Sequence, residues 1–404
     1  MKPIHALCLV LAMGVLPGHA QQPKRLTLRA ALDLADKQNL DLVAARKRRG
    51  VATAGIQIAR QRPNPTFNFA QLRDDPHESV FFDQPIELGG KRGRRIDVAR
   101  QQGALTDAEI AALERQVRRD TREAYYNLAF ARADTARRGK MVELAERLKQ
   151  IAEERFHAGA VAELEVIQAD VGLSRAQADY QVAGQREKVA LSQLNALLNV
   201  SPSTSWEIAS LLEEVPASVS LQELLERAYQ ANPELQHLAQ EEKVEQSRRN
   251  LLKAERIPDL NLEFGTDFNS PHNFEVGHRG QISLMIPLFS RNQGEIAQSL
   301  ASQQVLEGQM AAARRAVSGR VESGFLNFTS RQTEVELYRH DLLPATRRLE
   351  SMAEESYRAG KANILTVLDA QRNAQDVERQ YLQSLFEMQS VYAALEETVG
   401  APLR

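Results

Sequence analysis

Twice in this chain a glycine interrupts a long helix-forming run. Residues 156–170 read FHAGAVAELEVIQAD and residues 357–371 read YRAGKANILTVLDAQ. Glycine adopts the left-handed conformation that ends a helix at little steric cost. A new apolar periodicity resumes at once, at Leu164 and Ile167 in the first stretch and at Ile364, Leu365 and Leu368 in the second. Each stretch predicts a long helical hairpin with a tight turn at its tip, over 158–160 and 359–361. The tips lie 201 residues apart, half of the 404-residue chain, so the molecule reads as a duplication.

The flanking sequence repeats as well. Leu32–Leu42 aligns with Leu224–Leu235, and Asn39 with Asn232 and Pro65 with Pro258 are each 193 residues apart. Past the next segment the spacing is 201, pairing Tyr180 with Tyr381 and Leu194 with Leu395, which assigns eight additional residues to the second copy's strand or loop segment. The expected organisation is a leader over 1–20, a first repeat over 21–200, a linker over 201–219 and a second repeat over 220–404. In each copy a short helix breaks at Asn39 or at Asn232-Pro233, where Asn caps and Pro opens the next helix. That helix runs to about Arg60 or Arg256. Alternation of period two then predicts strands over about 66–72 and 79–85, and over about 259–268 and 279–287. Phe67 and Phe69 alternate with Thr66, Asn68 and Ala70; Leu260, Leu262, Phe264 and Phe268 alternate with Asn261, Glu263 and Asp267.

The long helix expected from Arg94 to about His157 spans about 96 Å at 1.5 Å per residue. Its return arm, Val161–Leu198, spans only about 57 Å, and the helix over 41–60 would complete it if the two stacked end to end. The last arm carries Tyr381, Leu385, Met388, Tyr392, Leu395 and Val399 at a heptad spacing. These helices are otherwise thinly apolar. Aromatics make up 5% of the chain, and the charged residues (26%) nearly cancel to −2. Such a mixture suits a wall wet on both faces and lacks the basic face of a nucleic-acid binder.

The N-terminus has the pattern of a secretory leader: Lys2, an apolar run over Ala6–Leu16, and small residues at Gly18 and Ala20, with cleavage before Gln21. The single cysteine, Cys8, lies inside that run and is a poor lipid-attachment site, so thiol chemistry and disulfides are excluded from the mature chain. Past the leader no run of about 18 apolar residues could span a bilayer as a helix. An exported chain of this kind enters a membrane only as strands. Four strands leave open edges that lipid does not tolerate, whereas twelve strands from three chains can close around a lumen. The fold class expected is mainly α with a small membrane β part: duplicated helical hairpins and four strands per chain, forming a trimeric α-barrel on a twelve-stranded β-barrel.

The duplicated tip, the Asn232-Pro233-Glu234-Leu235 break and the string Gln84-Pro85-Ile86-Glu87-Leu88-Gly89-Gly90-Lys91-Arg92 resemble the TolC-like outer-membrane efflux family, most closely its cation-efflux branch. The resemblance covers nearly the whole mature chain. It implies a non-enzymatic homotrimeric duct without cofactors. Such a duct lies in outer-membrane lipid and is docked through its tips to a periplasmic adaptor and a proton-driven inner-membrane pump of the RND type. It also implies an acidic constriction at the tips, for which Asp369 matches one position while Thr366 occupies its partner. The family's closed-state latch joins an acid, a tyrosine and an arginine. Glu165 and Tyr357 match the first two, but Ala362 stands at the arginine position, leaving that latch incomplete.

Each candidate has a plain alternative. Asp369 could be a solvated helix charge, and Glu165 and Tyr357 could be local surface residues. Phe156, Ala158, Gly159, Val161, Ala359, Gly360 and Lys361 form the expected docking face. Pro85, Gly89, Gly90, Lys91, Arg92 and Pro287 mark the membrane junction. There the glycine run fails the P-loop pattern, and Lys91, Arg92, Arg94 and Arg95 read as a basic turn facing lipid headgroups. The histidines His77, His157, His237, His272, His278 and His340 form no His-Glu-x-x-His motif, so no metal site is assigned. The function expected is export of heavy-metal cations, with a duct for drugs or for type I protein secretion as alternatives. A poreless periplasmic coiled-coil scaffold is a distant alternative, and the alternating segments speak against it; an envelope hydrolase is a distant third, since no catalytic constellation stands out.

Overall fold

Asparagine side chains organise the helical part. Thr27 opens α1 (Leu28–Gln38) by accepting from the Ala30 N–H at 3.1 Å. Asn39 ends α1 and opens α2 (Leu40–Arg60), its Oδ1 accepting from the N–H groups of Asp41 and Leu42. The second copy repeats this with α5 (Leu221–Ala231), Asn232 and α6 (Pro233–Ala254), whose first residue is a proline with no N–H left to orphan. The other half of each amide reaches a distant carbonyl. Asn39 Nδ2 donates to Leu197 O at 3.2 Å, at the end of α4 (Glu163–Leu197). Asn232 Nδ2 donates to Thr398 O at 2.6 Å, near the end of α9 (Ile364–Val399). One buried residue thus caps the start of one helix and the end of another, so α4 runs into α2 and α9 into α6 as the arm lengths require.

The structure, a computed structural model, describes residues 24–209, 220–270 and 274–403. The leader, its cleavage site and Cys8 lie outside the described residues, as do most of the linker and His272. α3 (Lys91–His157) is a single helix of 67 residues, about 100 Å long. Its second-copy counterpart is α7 (Gln293–Leu337), a π turn (Tyr338–Leu342) and α8 (Leu343–Arg358). The helices form a wall: α3 packs on α2 and α4 to one side and on α6 and α9 to the other, and α7 with α8 packs on α6 and α9. The heptad face of α9 is its buried seam, with Leu385, Met388 and Val399 fully enclosed beside Val317, Val321 and Phe328 of α7. A separate apolar cluster at the tips joins both copies through Leu148, Ala152, Ala169, Tyr357, Ile364 and Val367.

The four alternating segments form one open antiparallel sheet, in the order β2 (Thr66–Gln71), β3 (Glu78–Ile86), β5 (Leu260–Ser270), β6 (Phe274–Leu284). β3 and β5 join the two hairpins, with Phe82 opposite Phe264. The last strand differs from expectation: β6 starts and stops earlier than 279–287, and Met285–Phe289 leaves the ladder. Pro287 has no N–H to give a neighbouring strand. The linker also holds an element without an alternation signal. Lys24–Leu26 (β1) pairs in parallel with Trp206–Ile208 (β4), and the Trp206 indole donates to the buried Asn195 at 2.7 Å.

The duplication needs a second correction. Through the long helices the copies align 200 residues apart, not 201: Ile96 with Ile296, Val117 with Val317, Asn127 with Asn327. Val117 and Val317 are both buried, as are Leu128 and Phe328. The spacing reaches 201 only past the π turn, where Ala152-Glu153-Glu154 matches Ala353-Glu354-Glu355. Seven additional residues therefore belong to the second copy's strand segment, and one belongs to its long helix.

Candidate functional site

At each tip the helix ends in a paired-bond C-cap. Gly159 N–H donates to Phe156 O and Ala160 N–H to Arg155 O, both at 2.9 Å; Gly360 and Lys361 repeat this with Tyr357 O and Ser356 O. The motif requires a left-handed residue, and the two glycines have φ of 71° and 69°. No atom lies within 4 Å of where a Cβ would stand on either, so the demand for glycine comes from the backbone alone. Phe156, Ala158, Gly159, Ala359, Gly360 and Lys361 are exposed around these turns, and Val161 is half-buried.

Beneath the turns the two copies touch. Tyr357, at the end of α8, is fully buried, and its hydroxyl donates to Glu165 Oε2 at 3.2 Å. Burial, then the negative charge of Glu165 and the hydrogen bond to it, hold the phenol above its ordinary pKa, so it stays a donor. Glu165 sits in the first turn of α4, where the helix dipole favours a carboxylate. The cation comes from a residue the sequence reading passed over. Arg155 stacks its guanidinium on the Tyr357 ring, 4.6 Å from the centroid, and donates through Nη1 to Tyr357 O at 3.3 Å. Ala362, where the resemblance looked for arginine, has no such group. The available signal was local: Arg155 stands in the last turn of α3, where a cation suits the exposed carbonyls.

Asp369 lies in the second turn of α9, largely exposed, with Arg372 at 3.6 Å. Thr366 is drawn into a cap, its N–H and hydroxyl both bonded to Asn363 Oδ1. The first copy has Ala162 at the capping position and no such bond.

The strand–helix corner over residues 85–95 is built differently from the basic turn expected. Gly89 and Gly90 are left-handed (φ 70° and 72°), and a Cβ on Gly89 would stand 2.7 Å from Ile257 Cδ1. This close approach brings α3 onto the end of α6, and three of the four basic side chains turn inward. Lys91 is buried with Nζ 2.7 Å from Asp259, whose carboxylate also accepts from the Leu88 N–H. Arg92 donates to Arg60 O at 2.6 Å, and Arg95 grips Glu87 and Gln61 O. Arg94 alone remains mostly exposed. Burying a charge without a partner is costly, and acceptors supplied by the strand–helix corner draw these cations in. Pro85 lies on β3 opposite Asn261 of β5 and beyond the last residue paired with β2, so its missing N–H leaves the β2 ladder intact.

Among the described residues no group of three or more His, Cys, Asp or Glu side chains is placed to hold a metal ion. His77 approaches Asp75 at 3.4 Å, and His278 approaches Thr266 at 3.2 Å. No described helix is long and apolar enough to cross a membrane.

The family described as "Outer membrane efflux protein" matches residues 31–200 and 224–401. The chain is 27% identical to the cobalt-zinc-cadmium resistance protein CzcC of Cupriavidus metallidurans over 396 residues, covering 96% of this chain and 92% of that protein. It is 24% identical to the nickel-cobalt-cadmium resistance protein NccC of Alcaligenes xylosoxydans xylosoxydans, covering 71% of this chain and 66% of that one. Among solved structures, the transmembrane channel protein CusC has the same fold, with a TM-score of 0.76 at 15% identity over 93% of this chain and 92% of its own.

Proposed function

The chain belongs to the outer membrane efflux protein family, and from that premise we propose that three copies close into a duct that carries heavy-metal cations out across the outer membrane. The observation that carries this is the pair of unfinished edges on the wall. The outermost helices on one side expose Val51, Ile58, Leu164 and Val189, and those on the other expose Val305, Leu326, Leu337 and Met352. The inner helices α3, α6 and α9 expose large apolar residues only at the tips, Phe156 and Leu365. The sheet likewise ends in β2 and β6, whose ladders are open on their outer sides. A heterologous interface joins one edge to the opposite edge of the next copy and closes when the rotation completes a ring. Three copies supply twelve strands, enough for a barrel with a lumen.

In this reading the duct hangs from the outer membrane into the periplasm. The exposed tips dock a periplasmic adaptor that links it to a proton-driven RND-type pump, and the chain itself performs no chemistry. Three Asp369 carboxylates ring the aperture and draw cations to it, while Thr366 leaves the ring with one acid per subunit. The Arg155–Tyr357–Glu165 contact holds the two tips of a subunit together in the shut state. The metal cargo rests on the resistance phenotypes in the names of the two relatives.

The test has two parts. The protein should fractionate with outer membranes and run as a detergent-solubilised trimer; a water-soluble monomer ends the duct reading. Deleting the gene should then lower the tolerated concentration of zinc, cobalt, cadmium or copper. Loss of antibiotic tolerance or of a secreted protein alone would reassign the cargo.

A further inference from the structure

The single residue by which the second copy's long helix exceeds the first is absorbed in the π turn Tyr338–Leu342. Upstream the copies align at 200 and downstream at 201, and among the described residues this is the only break in the helix between them. Leu343 N–H donates to Tyr338 O, five residues back, which takes one more residue into that turn than an α-helix does. Pro344 follows directly. It has no N–H, and its ring would press on the carbonyl four residues back in a regular helix, so the wider turn is favoured at this point. Two side chains tie the turn to α9: Tyr338 Oη donates to Gln380 at 3.0 Å, and Arg339 Nε donates to Tyr381 Oη at 3.4 Å.

The spacing of buried and exposed residues shows what the turn does. The buried positions Val321, Phe328 and Val335 step by seven; the next, Leu343, comes eight later, followed by Ala353 and Tyr357 at ten and four. The exposed stripe makes the same jump: Leu337 to Leu342 is five, where a helix would repeat at four, and Leu349 follows seven later. Both faces take one additional residue at the same place, and both continue in phase below it. Without that residue, everything beyond would be turned by about 100° about the helix axis, one residue's share of a 3.6-residue turn.

We propose that the inserted residue sets the rotational phase of α8 and thereby aims Tyr357 at Glu165. The π turn is a positioning element for the contact between the two tips. The first copy lacks the insertion, and its residue at the matching position, Phe156, is 39% exposed where Tyr357 is fully enclosed. The proposal deepens the latch reading above, so its test reads tip geometry and not transport.

The probe is maleimide labelling of Tyr357→Cys in the trimer, in three backgrounds: the full-length helix, a deletion of His340, and that deletion combined with one alanine inserted after Ser351. His340 is largely exposed and its one ion pair is to Glu336 on the same helix. Labelling should be slow in the first background, at least tenfold faster with the deletion, and within about twofold of the first once the alanine restores the phase. Unchanged labelling on deletion overturns the proposal, because α8 would then keep its orientation without the inserted residue. Fast labelling that persists in the double variant also overturns it. If the deletion alone is degraded in the cell, recovery of a slowly labelled trimer in the double variant still supports the proposal, and failure to recover one overturns it. Labelling that follows the prediction while conductance is indifferent to it removes the latch and leaves the positioning role standing.

Discussion

Replacing Tyr357 by phenylalanine removes one oxygen from the tip and little else. The ring stays in its buried seat and Arg155 keeps its aromatic face and its carbonyl acceptor, so the loss isolates the hydroxyl–carboxylate bond of 3.2 Å. A hydrogen bond to a charged group contributes about 1.5–3 kcal/mol. Glu165 is partly solvated, which places the effect at the lower end, about 1.5 kcal/mol, or roughly tenfold in the shut-to-open ratio of one subunit. Should the three subunits release together, the factors multiply to about a thousandfold. Single-channel recording in a planar bilayer reads this as open probability. Tyr357→Phe, Glu165→Gln and the double variant complete a cycle that isolates the pair. A coupling of about 1–1.5 kcal/mol is expected; one below about 0.3 kcal/mol, the level at which independent sites add, would refute the latch. Removing Arg155 should cost a further increment of about 0.5–2 kcal/mol through the lost cation–π contact, and its indifference would return the cation's role to an unidentified group.

Three other outcomes can be checked. Asp369→Asn should lower cation-over-anion selectivity in bilayer reversal potentials, and an unchanged potential removes the ring from the mechanism. Asn232→Ala strips a helix cap and the bond that joins α9 to α6, and should lower stability by about 1–2 kcal/mol in denaturant unfolding; Asn39→Ala should do the same in the first copy. Glu350, half-buried on α8 with its Oε1 enclosed and unbonded, has its pKa raised by burial and then by the charges of Glu378 and Glu354. A raised carboxyl pKa means the folded state holds the proton more tightly, so stability falls as pH climbs from the unfolded value through the folded one. Glu350→Gln should abolish that fall and melt higher at neutral pH; identical pH profiles would place the carboxylate in water.

How much was legible beforehand divides by the range of the interactions. The helical hairpins, their glycine tips, the asparagine breaks and the alternating strands are all written in local signals, because helix capping and side-chain periodicity act within a few residues. The heptad of α9 belongs with them, since an apolar stripe at that spacing has only a packed seam to go to. The string from Gln84 to Arg92 marked the strand–helix corner correctly, but the direction of its cations depended on Asp259 and Arg60, far away in sequence. The same holds for Arg155. Its place in the last turn of α3 marks it locally as a suitable cation for the helix end, but only the approach of α8 from the other copy puts Tyr357 under its guanidinium.

The π turn lies between these cases. Pro344 stands in the sequence, but the sequence reading passed over it, and a proline inside a helix can kink it, end it or widen a turn. The choice among these was made by two faces at once, since α8 had to keep Tyr357 in the tip cluster and Leu349 on the open edge. Local chemistry therefore settled which elements this chain builds, because caps, glycines and periodicity need no partner. Phase, pairing and the direction of each charge were settled only when the copies packed together, because those depend on atoms that the chain brings near from about 200 positions away.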